Sequence, residues 1–209
     1  MLRILIADDH TVVRRGLRQI LLEDFPGCEV DEVGDAEELV KKVITGTWSV
    51  VITDLNMPGR SGLDALNQIR HINAELPVLV LSVHPEDQYA MRVLKAGASG
   101  YLNKDSAPEE LVKAVQKVLL GKKYISATVA EKLAGSFTPD ADKAGHEYLS
   151  DREFDVMKLL AAGKTVSEIA QSLSLSVTTV STYRARLMSK LNLKTNSELT
   201  KYAIEHQLI

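Results

Sequence analysis

Cysteine is almost missing from this 209-residue chain: Cys28 stands alone, so no disulfide can close within it. A thiol-poor chain of this kind suits a reducing compartment. Long apolar runs are missing too, and none approaches the roughly 18 residues that a membrane-crossing helix needs. Residues 1–8 show no basic region followed by a long apolar stretch, so no secretory leader is read there. There is no Gly-rich dinucleotide or P-loop pattern, no internal repeat and no low-complexity tract. What remains, 45% apolar and 25% charged residues, has the proportions of an ordinary globular protein. The expectation is a cytosolic protein of one large domain or two modest ones.

Acidic residues are unevenly distributed. Residues 1–121 carry 13 Lys and Arg against 18 Asp and Glu, residues 122–148 four of each, and residues 149–209 eight against six. Nothing acidic lies between Ile169 and Ser197, where Arg184, Arg186, Lys190 and Lys194 fall. An acidic front and a locally basic rear suggest two domains with different partners.

In the front half, short apolar runs alternate with helical spacing. Residues 2–7, 29–33, 50–54, 78–82 and 100–103 read as strands, the second more polar, as an edge strand can be. Helix faces fall at Val12, Val13, Gly16, Leu17, Ile20 and Leu21, then at Leu39, Val40, Val43 and Ile44, then at Leu63, Leu66 and Ile69. A fourth helix runs from about Gln88 to a cap at Gly97, and a fifth, capped by Ser106, ends near Gly121. Strands alternating with helices demand a parallel sheet covered on both faces. Its apolar strands end in Asp8 and Asp9, in Asp54 followed by the Met57-Pro58-Gly59 turn, in Ser82 and in Lys104. Such strand ends open into the crevice where α/β sheets bind ligands. Carboxylates crowded there want a cation, and all-oxygen ligands suit Mg²⁺. Lys104 and Ser82 could hold a phosphoryl oxygen. His10, His71 and His84 read as isolated surface groups.

Asp8-Asp9, Asp54 with Met57-Pro58-Gly59, Ser82 and Tyr101-x-x-Lys104 together resemble the receiver domain of bacterial two-component response regulators over about residues 1–120. The resemblance implies a five-stranded parallel flavodoxin-like fold with Asp54 as phosphoacceptor for a sensor histidine kinase. It implies Mg²⁺ held by Asp9, Asp54 and the Asn56 carbonyl, with Asp8 acting through water, and Ser82 and Tyr101 as the switch pair. Asn56 and His84, flanking the site, would set the phosphate lifetime. Two positions depart from the commonest pattern. Asp105 follows Lys104 where proline is usual, which puts the customary cis peptide in question, and Ser82 replaces a frequent threonine.

Residues 122–148 read as a linker, with a short helix around Val129 and Leu133 and a polar Pro/Gly-containing stretch at 136–145. From Leu149 the pattern is all helix. Capping boxes start at Ser150, Thr165 and Thr195, and Gly163 ends a helix whose apolar face is Phe154, Met157, Leu160 and Ala161. Helices at about 166–173 and 177–191, joined by Ser174-Leu175-Ser176, match a helix-turn-helix whose second helix enters the major groove. A fourth helix spans about 196–206.

On a helical wheel Val177, Val180, Leu187 and Leu191 face the core. Thr178, Ser181, Thr182, Ala185 and Ser189 face outward toward base edges. Thr179, Tyr183, Arg184, Arg186 and Lys190 are phosphate candidates, Arg184 by extending its stem from the apolar side. Leu149-Ser150-x-Arg152-Glu153, Ile169-Ala170-x-x-Leu173-x-Leu175-Ser176-x-x-Thr179-Val180 and Lys190-Leu191 resemble the LuxR-type helix-turn-helix of the NarL/FixJ family. Ser181 stands where lysine is usual and Tyr183 where histidine is usual, so base preference does not transfer from better-known relatives.

Together these readings point to a non-enzymatic transcription regulator with a receiver at 1–121, a linker at 122–148 and a DNA-binding domain at 149–209. Phosphorylation of Asp54 would promote homodimers, with Leu199, Tyr202, Ala203 and Ile204 as their contact. The dimer would bind inverted or direct half-sites in double-stranded DNA, with RNA polymerase a further candidate partner. Two alternatives stay open. An aspartate-dependent phosphatase would want Asp where Asn56 stands, and a receiver without phosphate control would bind DNA constitutively.

Overall fold

The computed structural model describes residues 1–57, 61–83, 86–126, 129–131, 145–206 and 208–209. Pro58 and Gly59, His84, Leu133 and the linker stretch 136–144 lie outside these. The chain divides into two compact units, Met1–Phe137 and Thr138–Ile209.

In the first unit β1 (Arg3–Ala7), β2 (Glu29–Val33), β3 (Val50–Asp54), β4 (Val78–Ser82) and β5 (Gly100–Asn103) alternate with α1 (Thr11–Asp24), α2 (Ala36–Thr45), α3 (Gly62–Ile72), α4 (Glu86–Lys95) and α5 (Ala107–Leu119). The strands lie in the order β2-β1-β3-β4-β5, all parallel. Every residue of β3 and β4 is buried, as strands covered on both faces must be, and this is why they read as unbroken apolar runs. Alternation then sorts side chains by face. Ile4, Ile6, Val50, Ile52, Leu79, Leu81 and Leu102 pack with Leu17 and Leu21 of α1 and Leu111, Val115 and Val118 of α5. The registers Ala7↔Thr53, Asp54↔Leu81 and Ser82↔Asn103 bring the strand ends level. Between β1 and β3 the chain order reverses, and the crevice opens there.

Helix ends depart most from the sequence reading. Val12 is 84% exposed and Ile44 63% exposed, because one sits in the first turn of α1 and the other in the last of α2, beyond the sheet they pack on. α4 starts at Glu86 rather than about Gln88. Ser61 opens α3 with a capping box to Asp64. Ser106 does not cap α5: its backbone is already helical, at φ -92 and ψ -6, and its hydroxyl donates to the Asn103 carbonyl at 3.1 Å. No peptide bond among the described residues is cis, so Lys104–Asp105 is trans. After α5 the chain turns at Gly121 (φ 73) and comes back to the sheet. The Tyr124 N–H donates to the Ser99 carbonyl at 2.8 Å, and Tyr124 pairs in parallel with Gly100. A Cβ at position 100 would lie 2.7 Å from the Tyr124 carbonyl oxygen, so this close approach needs glycine.

The second unit holds a 3₁₀ turn (Gly145–Tyr148) and helices α6 (Asp151–Ala161), α7 (Val166–Ser172), α8 (Val177–Lys190) and α9 (Asn196–Glu205). Complete capping boxes open α6, α7 and α9. Gly163 (φ 85) ends α6, and Ser174 (φ 53) makes the turn into α8. Phe154, Val156, Met157, Leu160, Ile169, Val180, Leu187, Met188, Leu199 and Ala203 form the buried core. Val177, expected in that core, is 51% exposed. As the first residue of α8 it precedes the turn that meets α6, and Met188 supplies buried surface instead. Leu191 is half-buried.

Candidate functional site

Strand ends deliver their polar residues as the topology requires. Asp8, Asp54, Ser82 and Tyr101 are all buried, while Asp9 and Asn56 are exposed. Lys104, just past β5, places its Nζ 2.6 Å from Asp8 Oδ2 and 2.6 Å from Asp54 Oδ2. The pairing with Asp8 Oδ2 is one of charge, without hydrogen-bond alignment. Asp54 Oδ1 accepts the Asn56 N–H at 3.2 Å. Burial holds the Asp54 carboxyl above its ordinary pKa, even though the hydrogen bond and charge of Lys104 pull the other way. For Lys104 burial works toward the neutral amine, but Asp54 and Asp8 outweigh it and keep the ammonium pKa raised. One cation thus holds two buried carboxylates at the end of two strands.

The surroundings fix that geometry. Gly62, first residue of α3, donates its N–H to the Leu55 carbonyl at 2.9 Å. A Cβ there would sit 1.9 Å from the Asp54 carbonyl oxygen, so α3 can start under the strand end only with glycine. Thr53 Oγ1 donates to the same carbonyl at 3.1 Å. The Arg14 guanidinium donates to the Asp8 carbonyl, with Nε 3.5 Å from Glu32.

His10 corrects the sequence reading of an isolated surface group. Its Nδ1 lies 2.8 Å from Asp9 Oδ1 and 3.2 Å from Asp8 Oδ1. His71 is a surface group as expected, its Nδ1 2.7 Å from the Asn67 carbonyl oxygen. Donor atoms of Asp8, Asp9, His10 and Asp54 all lie within 4.8 Å of one another. A mainly carboxylate donor set, buried at Asp8 and Asp54 and exposed at Asp9 and His10, fits a divalent cation that keeps some of its water.

On α8, Thr178, Ser181, Thr182, Ala185, Arg186 and Ser189 are exposed, and Thr179 and Tyr183 are half-buried. Ser181 Oγ donates to the Val177 carbonyl at 2.9 Å and Thr182 Oγ1 to the Thr178 carbonyl at 3.0 Å. Those hydroxyls keep acceptor lone pairs facing outward. Thr179 Oγ1 pairs with Ser176 Oγ at 2.7 Å in the N-cap. On α8 itself, Arg184 and Lys190 have partners inside the unit. Arg184 donates to Asn196 Oδ1 from Nε at 3.2 Å and Nη2 at 2.9 Å. Lys190 reaches Glu153 Oε2 at 2.6 Å and the Tyr148 carbonyl at 3.3 Å. Lys190 therefore ties the end of α8 to the start of α6, where the wheel offered it to a phosphate.

Residues 4–116 match the response regulator receiver domain, and residues 147–203 match the luxR family of bacterial regulatory proteins. The chain is a two-component response regulator. Response regulator UvrY of Escherichia coli K12 is 41% identical to it over 212 residues, covering 100% of this chain and 96% of UvrY. Response regulator GacA of Pseudomonas aeruginosa is 35% identical over 211 residues, covering 100% and 98%. Among solved structures it resembles RcsB from Salmonella enterica serovar Typhimurium bound to promoter rprA with the phosphomimetic BeF3-. That likeness has a TM-score of 0.65 at 29% identity, covering 97% of this chain and 98% of RcsB. This places the response regulator in the NarL/FixJ type, a family of DNA-binding transcription regulators and not of enzymes. No helix among its described residues is long and apolar enough to cross a membrane.

Sequence reading of the response regulator missed His10, Gly62, Arg14 and the Glu153–Lys190 pair. Gly62 had a signal, a glycine at the first helical position directly after the strand-end turn. The Glu153–Lys190 pair had none, its members lying 37 residues apart.

Proposed function

We propose that Asp54 accepts a phosphoryl group from a sensor histidine kinase, that Mg²⁺ sits in the acidic crevice, and that phosphorylation pairs two copies of the chain on DNA. The observation that carries this reading is the Lys104 ammonium held 2.6 Å from both Asp8 and Asp54. In the transfer an Asp54 carboxylate oxygen bonds to phosphorus as the P–N bond to the donor imidazole breaks. Nearly two negative charges are added, and Lys104 stands against them as a charge partner. Asp8, Asp9, Asp54 and the Asn56 carbonyl would hold the cation, which offsets charge on the phosphoryl oxygens. The Ser82 hydroxyl donates to a phosphoryl oxygen, and the Tyr101 ring, already buried in this structure, keeps its inward position behind it.

Residues 1–121 are the receiver in this reading, 122–148 the linker and 149–209 the DNA-binding domain of a cytoplasmic regulator. Thr178, Ser181, Thr182 and Ala185 reach base edges, while Thr179, Tyr183, Arg184 and Arg186 serve the phosphates. Of the α9 face expected to pair, Leu199 and Ala203 are spent in the unit's own core, so the dimer contact falls to exposed Ile204 and half-buried Tyr202. The likeness to RcsB, which has been solved as two dimers bound to two parallel DNAs, supports a dimer on DNA.

Sedimentation of wild type and Asp54→Asn, each with Mg²⁺ and beryllofluoride, tests this. Wild type is expected to shift to dimer while the variant stays put. Equal behaviour of the two overturns phosphate-driven pairing.

A further inference from the structure

We infer that His10 is a nitrogen ligand of the crevice cation, giving a site that favours Mn²⁺, Co²⁺ or Ni²⁺ over Mg²⁺. This rests on the metal reading above and deepens it. A six-coordinate ion with bonds of 2.0–2.1 Å sets neighbouring ligand atoms about 3 Å apart. His10 Nδ1 lies 2.8 Å from Asp9 Oδ1 and 3.2 Å from Asp8 Oδ1, so each of these two pairs has the spacing of neighbouring positions in such a shell. One donor atom from each of Asp8, Asp9, His10 and Asp54 lies within 4.8 Å of the others.

The backbone holds the histidine in this place. Its own N–H donates to Asp8 Oδ1 at 2.7 Å, and it occupies the N-cap of α1 in extended conformation without a side-chain cap bond. The ring is thus not engaged in capping, and its side chain, 65% exposed, leaves the outer positions of the shell to water. Asp8 Oδ2 faces the same crevice and is already charge-paired with Lys104 Nζ at 2.6 Å, which leaves Asp8 Oδ1 as the oxygen turned toward the His10 side.

Chemistry sets the metal class. Mg²⁺ gains little from an imidazole nitrogen, whereas affinity for mixed N and O sites rises from Mn²⁺ through Co²⁺ to Ni²⁺. The competing account is an imidazolium ion-paired with two carboxylates, in which His10 would repel a cation.

Full-length protein loaded with Mn²⁺ separates the two by electron spin echo modulation. A directly bonded ¹⁴N is expected in wild type, to change on ¹⁵N labelling of histidine and to vanish in His10→Gln. By titration calorimetry the Ni²⁺/Mg²⁺ affinity ratio should fall about tenfold in that variant, a scale reached even by groups outside the ligand shell. Mn²⁺ that binds, and is weakened by Asp9→Asn, but shows no nitrogen modulation overturns the inference and leaves the crevice cation standing. Modulation that persists in His10→Gln also overturns it. Mn²⁺ that fails to bind wild type, or binds Asp9→Asn equally well, removes the metal reading itself.

Discussion

The crevice gathers side chains from four separate strand ends, whereas the outward face of α8 comes from one helix of 14 residues. In the crevice Asp8 and Asp54 are both held by a group from a different strand end, the shared Lys104 ammonium. Along the α8 face the exposed hydroxyls of Ser181 and Thr182 bond only to their own helix. The first arrangement is preorganised and costly to disturb. The second is a surface whose side chains can be exchanged with little effect on the fold.

Substitutions can break or sharpen this contrast. Lys104→Met leaves two buried carboxylates without their cation and should lower receiver stability by about 3 kcal/mol at neutral pH without metal, read by urea unfolding. Gly62→Ala drives a methyl against the Asp54 carbonyl and should cost about 2 kcal/mol. It should also slow beryllofluoride-induced dimerisation, because the strand end must shift.

The rear unit has one feature of the crevice kind, and it yields a pH dependence. Burial tends to raise the Glu153 pKa, but hydrogen bonds from Lys190 and from Ser150 outweigh it and hold the group below its ordinary value. Its contribution is therefore present above the usual glutamate pKa of about 4.3 and is lost as pH falls through the lowered value. Glu153→Gln should cost about 1 kcal/mol at pH 7 and flatten that acid limb in thermal unfolding of the DNA-binding unit. Smallest of all, Ser181→Ala or Thr182→Ala should change stability by less than about 0.5 kcal/mol. Operator affinity should fall by about 1 kcal/mol while binding to unrelated DNA holds. A matching loss on unrelated DNA would assign those hydroxyls to phosphates.

The same contrast explains what could be read from the sequence. Asp54 and Lys104 were legible because each ends a short β-branched or apolar run, and the right-handed parallel topology then leaves little freedom in where such ends meet. Periodicity marks a face but not its extent, so Val12, Ile44 and Val177 were assigned to the core although they overhang its rim. Ser106 looked like a cap by type, but its helical backbone turned the hydroxyl toward Asn103. Partners far apart in sequence left no signal. Lys190 and Arg184 looked alike as basic residues on one helix, and only Glu153 and Asn196 decide where their charges are held.

Tyr124 bears on where this protein can be cut. By helix pattern the receiver ends near Gly121, yet Tyr124 covers Gly100 at the outer edge of β5 and packs against the same hydrophobic core as Leu79. A fragment trimmed at the end of α5 would leave that edge bare, next to the strand position of Tyr101, and open strand edges invite pairing with other chains. The smallest self-sufficient receiver therefore carries the first residues of its own tether, and a protease that releases it whole must cleave beyond Tyr124.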